Sequence, residues 1–484
     1  MRVKWPVALA LASLLPGCPL ALLDDYEITS ENAKVDDAGF GGSVATGGNG
    51  GSQGGAGGSA TGGTSAAGDA GAGASGGTGG AGGSEPMDAG CDPSSCASAC
   101  CGAECVDTMR DARHCGGCDS RCPALRACVF GACSAGWLTV GAPPTAFVAR
   151  EKAAYVWAGD RVFIWGGVDE AGSELDTGAL YDPVTDQWTP IAKDGHTPKP
   201  RALATAVWTG SVVLVWGGGD AAGTSDYDAG ARYDPAANSW TDMAPAPMAR
   251  RAPVGVWTGT KALFWGGWDM AGAPIAGAAY YDPGANAWTP ATTEGGPGAV
   301  LHAASAWSGT HFYTYGGQPG GTGRFDKAFR LDPAADLWTA LPNGPSARYG
   351  AFGNWDGSAF VAVNGRDGAT PKDDGEYFAG TNWAPIPKGG MPTNRFAPHR
   401  RSGWTAAVRD GVSLFVGGMA VTSATFVHNG GKYERALNQW TTVPAWPSAQ
   451  DHEWGVGVWT GTELVVWGGR SGGGLTDVGE RYLP

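Results

Sequence analysis

An arginine stands at a fixed distance before a recurring tryptophan. Arg150 precedes Trp157, Arg201 precedes Trp208, Arg250 precedes Trp257 and Arg348 precedes Trp355, with His452 in the same place before Trp459. Two further copies carry Val300 and Ser402, the latter beside Arg401. An acid recurs too, two residues beyond a pair of glycine positions, at Asp169, Asp220, Asp269 and Asp367. Guanidinium forks grip carboxylates and hydroxyl groups through paired donors, so these residues are candidate ligand-binding groups. They also suit a plainer role, in which each arginine pairs with a neighbouring aspartate and ties adjacent segments together.

General acid–base catalysis asks for one carboxylate or imidazole beside an arginine, and His452 or Glu453 would serve, though no spacing singles them out. His196, His302, His311, His399, His428 and His452 form no i, i+4 pair of the kind that holds a metal on a helix. The acidic turn Asp220–Asp228 offers oxygen ligands for calcium, but solvation of a loop is the better explanation. No metal and no cofactor is expected.

The elements that position these residues repeat seven times. Val207-Trp208-Thr209-Gly210, Val215-Trp216-Gly217-Gly218, Tyr233-Asp234-Pro235 and Trp240-Thr241 return as Val256-Trp257-Thr258-Gly259, Trp265-Gly266-Gly267, Tyr281-Asp282-Pro283 and Trp288-Thr289. The residue before the glycine pair falls at 165, 216, 265, 315, 363, 416 and 467, a period near fifty. Copy five is degenerate, with Val363-Asn364-Gly365. Each copy reads as four short strands cut by a glycine hairpin, a glycine pair and an Asp-Pro turn. One such sheet cannot bury both faces alone, so the copies must pack face to face around an axis. The tryptophans at 188, 240, 288, 338, 383 and 440 then read as packing between sheets.

This pattern resembles the kelch repeat, over essentially all of 136–484. The resemblance implies an all-β, seven-bladed kelch-type β-propeller whose first strands line a central channel. The Arg and Asp sets then face each other around one rim, with Trp268 nearby as a candidate for stacking on a sugar. The last copy stops at Tyr482-Leu483-Pro484, before its fourth-strand tryptophan, and Gly136-Trp137-Leu138-Thr139 supplies a matching segment. Residues 136–140 are therefore expected to close the last blade. Some kelch-type relatives are copper-radical oxidases that need a cysteine cross-linked to tyrosine, and the chain has no cysteine after Cys133. That chemistry is excluded. Kelch-type sialic-acid mutarotases leave a sugar-modifying enzyme as an alternative, and a structural adhesion or envelope component is another.

Ten cysteines crowd 91–133: Cys91, Cys96, Cys100, Cys101, Cys105, Cys115, Cys118, Cys122, Cys128 and Cys133. An even number in a segment too small for a core reads as a disulfide framework whose pairing the sequence leaves open. A zinc site through Cys115 and Cys118 lacks the second matched pair that structural zinc wants. The run from Cys101-Gly-Ala-Glu-Cys105 to His114-Cys115-Gly-Gly-Cys118 and Cys122 resembles the cysteine-rich modules of stigma-specific-like proteins. That implies an extracellular spacer or binding knob.

Arg2 and Lys4, the apolar stretch Val7–Leu15 and then Leu15-Pro16-Gly17-Cys18 read as an export signal, too short to span a bilayer. The arrangement resembles a bacterial lipoprotein signal, 1–18, with Cys18 as the lipidation site. Residues 19–90 read as a disordered linker, since 38–90 hold 23 glycines and almost nothing to bury. The net charge is −14, and 19–90 carries nine acids against one lysine. An acidic chain of this kind disfavours nucleic-acid binding, which needs a basic surface. The sequence thus predicts an exported, monomeric surface or outer-membrane lipoprotein, held to the membrane by its lipid alone, with a periplasmic or secreted protein as the alternative. It would recognise an extracellular glycan or protein without catalysis.

Overall fold

Short runs of β-branched and aromatic residues, cut at intervals by glycine and Asp-Pro, leave each repeat no option but small antiparallel sheets. In the computed structural model, Thr205–Trp208, Val213–Trp216, Gly230–Asp234 and Ser239–Asp242 pair in that order, and six further four-stranded sheets follow the same plan. The described residues are 99–484 without 102–103, 119–120, 123–125, 130–131, 221–222, 321–322, 398–402, 410, 424, 449 and 473. The expected leader with Cys18, the linker, Cys91 and Cys96 lie outside them, as do Arg401 and Ser402.

The seven sheets are the blades of a β-propeller. The second strand of each is covered on both faces by its neighbours: Val213, Leu214, Val215 and Trp216 are all 0 % exposed. Blade seven is assembled from both ends of the propeller. Val456–Trp459, Leu464–Trp467 and Gly479–Leu483 are completed by Gly136–Thr139, with Tyr482 opposite Trp137 and Leu483 opposite Gly136. The inner strand of this blade also touches that of blade one, Ala154–Trp157. With its fourth strand supplied, blade seven exposes only the short outer edge that every blade has.

Blade-to-blade contact follows one rule for the outer-strand tryptophans. Each indole N–H donates to a carbonyl in the loop leaving the preceding blade: Trp188 to Gly141 at 2.8 Å, Trp240 to Ala192 at 3.0 Å, Trp288 to Ala244 at 2.7 Å and Trp338 to Thr292 at 3.1 Å. Trp383, Trp440 and Trp137 repeat it on Pro342, Pro387 and Pro444. The apolar ring fills space between sheets while its polar edge finds an acceptor, so the burial leaves no stranded donor. Near the axis the inner strands crowd. Gly255, Gly353 and Gly457 occur there, and a Cβ on Gly457 would overlap the Trp404 ring.

Two arcs of backbone hydrogen bonds also link successive blades near the axis. Lys152 N donates to Trp454 O at 3.0 Å, Leu203 N to Lys152 O at 3.0 Å and Ala252 N to Leu203 O at 2.8 Å. Gly350 N donates to His302 O and Ala397 N to Gly350 O. Lys152, Leu203, Ala252, His302 and Trp454 hold positive φ between 43° and 63° to make these turns. That is a strained choice for side-chain-bearing residues, kept by the surrounding ring.

The cysteine-rich module has two small hairpins, Ala99–Cys101 with Glu104–Val106 and Cys128–Val129 with Ala132–Cys133. Disulfides join Cys101 to Cys118, Cys115 to Cys128 and Cys122 to Cys133, and Cys100 and Cys105 are disulfide-bonded as well. Cys115 and Cys118, the pair weighed for zinc, thus belong to different bridges. The module is fastened to blade seven by Arg126, which donates through Nη2 to Glu463 Oε2 at 3.1 Å and through Nη1 to Gly136 O at 3.1 Å. Arg481 approaches Glu463 Oε1 at 3.5 Å from the other side, and all three side chains are at most 1 % exposed.

Candidate functional site

The arginines that precede the inner strands do not stand in the channel mouth. Arg150, Arg201, Arg250 and Arg348 are between 0 and 6 % exposed. Their guanidinium donors go to main-chain carbonyls of their own blade: Arg150 Nη1 to Gly166 O and Thr177 O, Arg201 Nη1 to Gly217 O and Ala229 O, Arg250 Nη1 to Gly266 O and Gly277 O. Arg348 Nη1 does the same on Asn364 O at 2.9 Å, where Asn364 replaces the first glycine of the pair. His452 Nδ1 meets Gly468 O at 2.7 Å and its Nε2 meets Glu480 Oε2 at 2.6 Å.

The blade-six equivalent is Arg395, whose Nη1 bonds Gly417 O and Asn429 O, each at 3.0 Å. Counting from the tryptophan misses it because the connection there is longer. Each clamp also reaches the neighbouring blade through its own carbonyl, which accepts from Gly167 N at Arg201, Gly218 N at Arg250 and Gly317 N at Arg348. So these residues do tie blades together, but through peptide groups. Among the described residues an aspartate partner occurs only at Arg348, with Asp374 at 2.7 Å and Glu376 at 3.2 Å. The electrostatics follow. Burial pushes Arg150 down to about 9 and Arg201, Arg250 and Arg395 down to about 10. At Arg348 burial pulls the same way, but Glu376, Tyr315 and Asp374 outweigh it and raise the value.

The aspartates shape the rim loops. Asp169 Oδ1 accepts from Ala171 N and Ser173 N, and Asp269 Oδ1 from Ala271 N and Ala273 N, both as side-chain-capped turns. Asp220 accepts from Thr224 N at 2.7 Å and, with Asp226, closes on the buried Arg251. Those two carboxylates of the acidic turn therefore already hold a cation. Asp367 is exposed and lies 3.8 Å from Lys372. Trp268 is 3 % exposed and packs with Val168, Ala202 and Leu203, so its ring presents no face for a sugar.

What the mouth does present comes from the residues one step beyond the clamps and the glycine pairs. Blades seven and one place an ionic chain there: Arg470 Nε donates to Glu151 Oε2 at 2.9 Å, Arg470 approaches Glu170 at 3.7 Å and Lys152 approaches Glu151 at 3.7 Å. Burial pushes the neighbouring Glu453 carboxyl up, against the pull of Lys152 and Arg470. Blades four to six place a cationic–aromatic stack. The Tyr349 ring has Arg324 at 4.5 Å and Arg366 at 5.0 Å, His302 lies 5.8 Å from it, and Arg366 also sits 4.2 Å from the Phe396 ring. No carboxylate among the described residues pairs with Arg366, and its buried Nε has no acceptor. Sequence reasoning missed this group, though Arg366 directly follows the degenerate glycine pair at 364–365.

Fold and site together define a seven-bladed β-propeller carrying a disulfide-rich module, with a polar mouth on the glycine-pair face. Residues 88–136 match the model of the Stigma-specific STIG1-like protein family, a match confined to the module and its edges. No curated protein is significantly similar to the chain.

Proposed function

We propose that the chain is an exported, lipid-anchored binding protein. Its propeller is of the kelch type and recognises a glycan or protein ligand at the mouth of the channel on the glycine-pair face. The disulfide module supports an extracellular or exported setting, because bridges persist where the surroundings oxidise. The recognition reading is carried by one observation: Arg366 is held between the rings of Tyr349 and Phe396 with no carboxylate partner among the described residues. A half-buried guanidinium on aromatic faces is poised for an acidic group of a ligand, since forming a paired hydrogen bond there requires little further ordering.

The test is a glycan array probed with the full chain, followed by pull-down from envelope extracts where the array is blank. Binding that falls at least tenfold in Arg366→Ala, at unchanged melting temperature, supports the reading. Binding that is indifferent to Arg366→Ala removes it. Glu453, with its raised carboxyl beside Lys152, favours one further reading, a sugar-modifying enzyme. Turnover of a bound sugar that vanishes in Glu453→Gln is the outcome that reading needs.

A further inference from the structure

The propeller has a second face, where the hairpins between first and second strands and the Asp-Pro turns lie. Between blades two and three this face opens into a cavity of about 390 Å³, lined among others by Ser211, Val212, Arg232, Asp234, Thr241 and Trp257. The cleft between blades seven and one is its counterpart by repeat position, and the comparison shows what an occupied niche looks like.

The two clefts are built alike. Arg232 Nη1 donates to Pro283 O at 2.9 Å, and Arg481 Nη1 donates to Pro183 O, in each case the Asp-Pro turn of the next blade. Thr209 Oγ1 donates to Val212 O at 3.0 Å, and Thr460 Oγ1 to Glu463 O at 3.1 Å. The contents differ. In the seven–one cleft Glu463 supplies a carboxylate, Arg126 of the disulfide module enters, and Arg481 is 0 % exposed. In the two–three cleft Val212 stands in place of Glu463, and Arg232 stays half-buried.

Polar groups there remain unspent. Asp234 uses Oδ1 on the turn N–H groups of Ala236 and Ala237, at 2.8 and 3.2 Å. Among the described residues nothing donates to its Oδ2, and nothing accepts from the Trp257 indole or the Thr241 hydroxyl. Arg232 and Asp234 lie two apart on one strand, and Thr241 is the cross-strand partner of Arg232, so all three face the same side.

We infer that this cleft binds a neutral saccharide unit. One positive and one negative group stand together, so a cationic ligand meets Arg232 and an anionic ligand meets Asp234. A polyol satisfies both, because each of its hydroxyls donates and accepts. The Trp257 ring offers an apolar surface for the C–H face of a sugar, and the volume lies in the range of small-ligand sites.

The experiment uses the full chain against immobilised neutral oligosaccharides ending in galactose, glucose, mannose or N-acetylglucosamine. Binding to at least one of them is expected, weakened tenfold or more by Asp234→Asn, whose amide oxygen still caps the turn. Val212→Glu supplies Arg232 with the carboxylate that Glu463 gives Arg481, at the loss of Val212's packing on the cluster around Leu214 and Phe264, and is expected to abolish binding in a chain that still melts cooperatively. Arg366→Ala, at the opposite face, is expected to leave this binding intact. The inference is overturned if the folded chain binds none of these sugars, or if binding survives Val212→Glu. It is equally overturned if Arg366→Ala removes the binding, which assigns it to the channel mouth.

Discussion

The side chain of Arg201 holds Gly217, Nη1 to carbonyl oxygen at 3.1 Å, and this contact fixes where the second strand of blade two ends. The Arg201 carbonyl meanwhile accepts from Gly167 N at 2.9 Å, so one residue locks the glycine pairs of two blades. The glycines are needed for this approach: a Cβ on Gly217 would lie 2.6 Å from Arg250 O, the next clamp in the series.

Arg201→Ala should therefore cost stability rather than ligand affinity. Losing a buried guanidinium strands the carbonyls of Gly217, Ala229 and Lys199, at about 1 kcal/mol or more for each. A total near 3 kcal/mol, read as a lower urea midpoint, is the expected outcome. An unchanged midpoint with lost ligand binding would place Arg201 in the recognition site instead.

Arg126→Ala should loosen the disulfide module from the propeller. It removes one of two cations from the wholly buried Glu463, and breaking such a pair costs about 3 kcal/mol. Calorimetry is expected to show a lower melting temperature, and limited proteolysis faster cleavage near 134–136. Wild-type behaviour in both would show that the module is held by other contacts.

Gly457→Ala tests crowding at the axis. Its Cβ would overlap the Trp404 ring, and overpacking of this kind costs about 2 kcal/mol. Gly389→Ala is the matched control, because a Cβ there has nothing within 4 Å. Equal effects of the two substitutions would contradict the inner-strand packing.

Asp220 gives a pH dependence with a definite sign. Burial alone would raise its carboxyl, but the Thr224 hydroxyl, the Thr224 and Ser225 N–H groups and Arg251 outweigh that and hold it at about 2. A depressed folded-state value means the contribution is fully present above the unfolded value near 3.8 and is lost as pH falls toward about 2. The stability difference between wild type and Asp220→Asn should accordingly be largest above about pH 5, shrink as pH falls through the folded value and vanish below it in urea titrations. A difference that stays constant across this range would show that the carboxylate charge is not what matters.

The all-β propeller was legible because its determinants are local and repeated sevenfold. Glycine pairs, Asp-Pro turns and alternating apolar runs specify four strands per copy, and a sheet with two apolar faces has to be covered by its neighbours. Trp137 at one end and Tyr482 at the other show the same arithmetic at closure, since a blade lacking its last strand needs a segment of matching pattern. What repetition cannot reveal is which way a charged side chain turns. Arg201 stands before a first strand and Arg366 after a glycine pair, and neither position says that one lies buried on its blade's own carbonyls while the other lies between two aromatic rings. Likewise Arg126 and Glu463 are far apart in the chain, and only the folded ring brings them together. The periodic pattern determined the fold because strand and turn preferences act over a few residues. The tertiary structure decided the site because desolvation and hydrogen-bond partners depend on groups that the chain brings close only when the blades have packed.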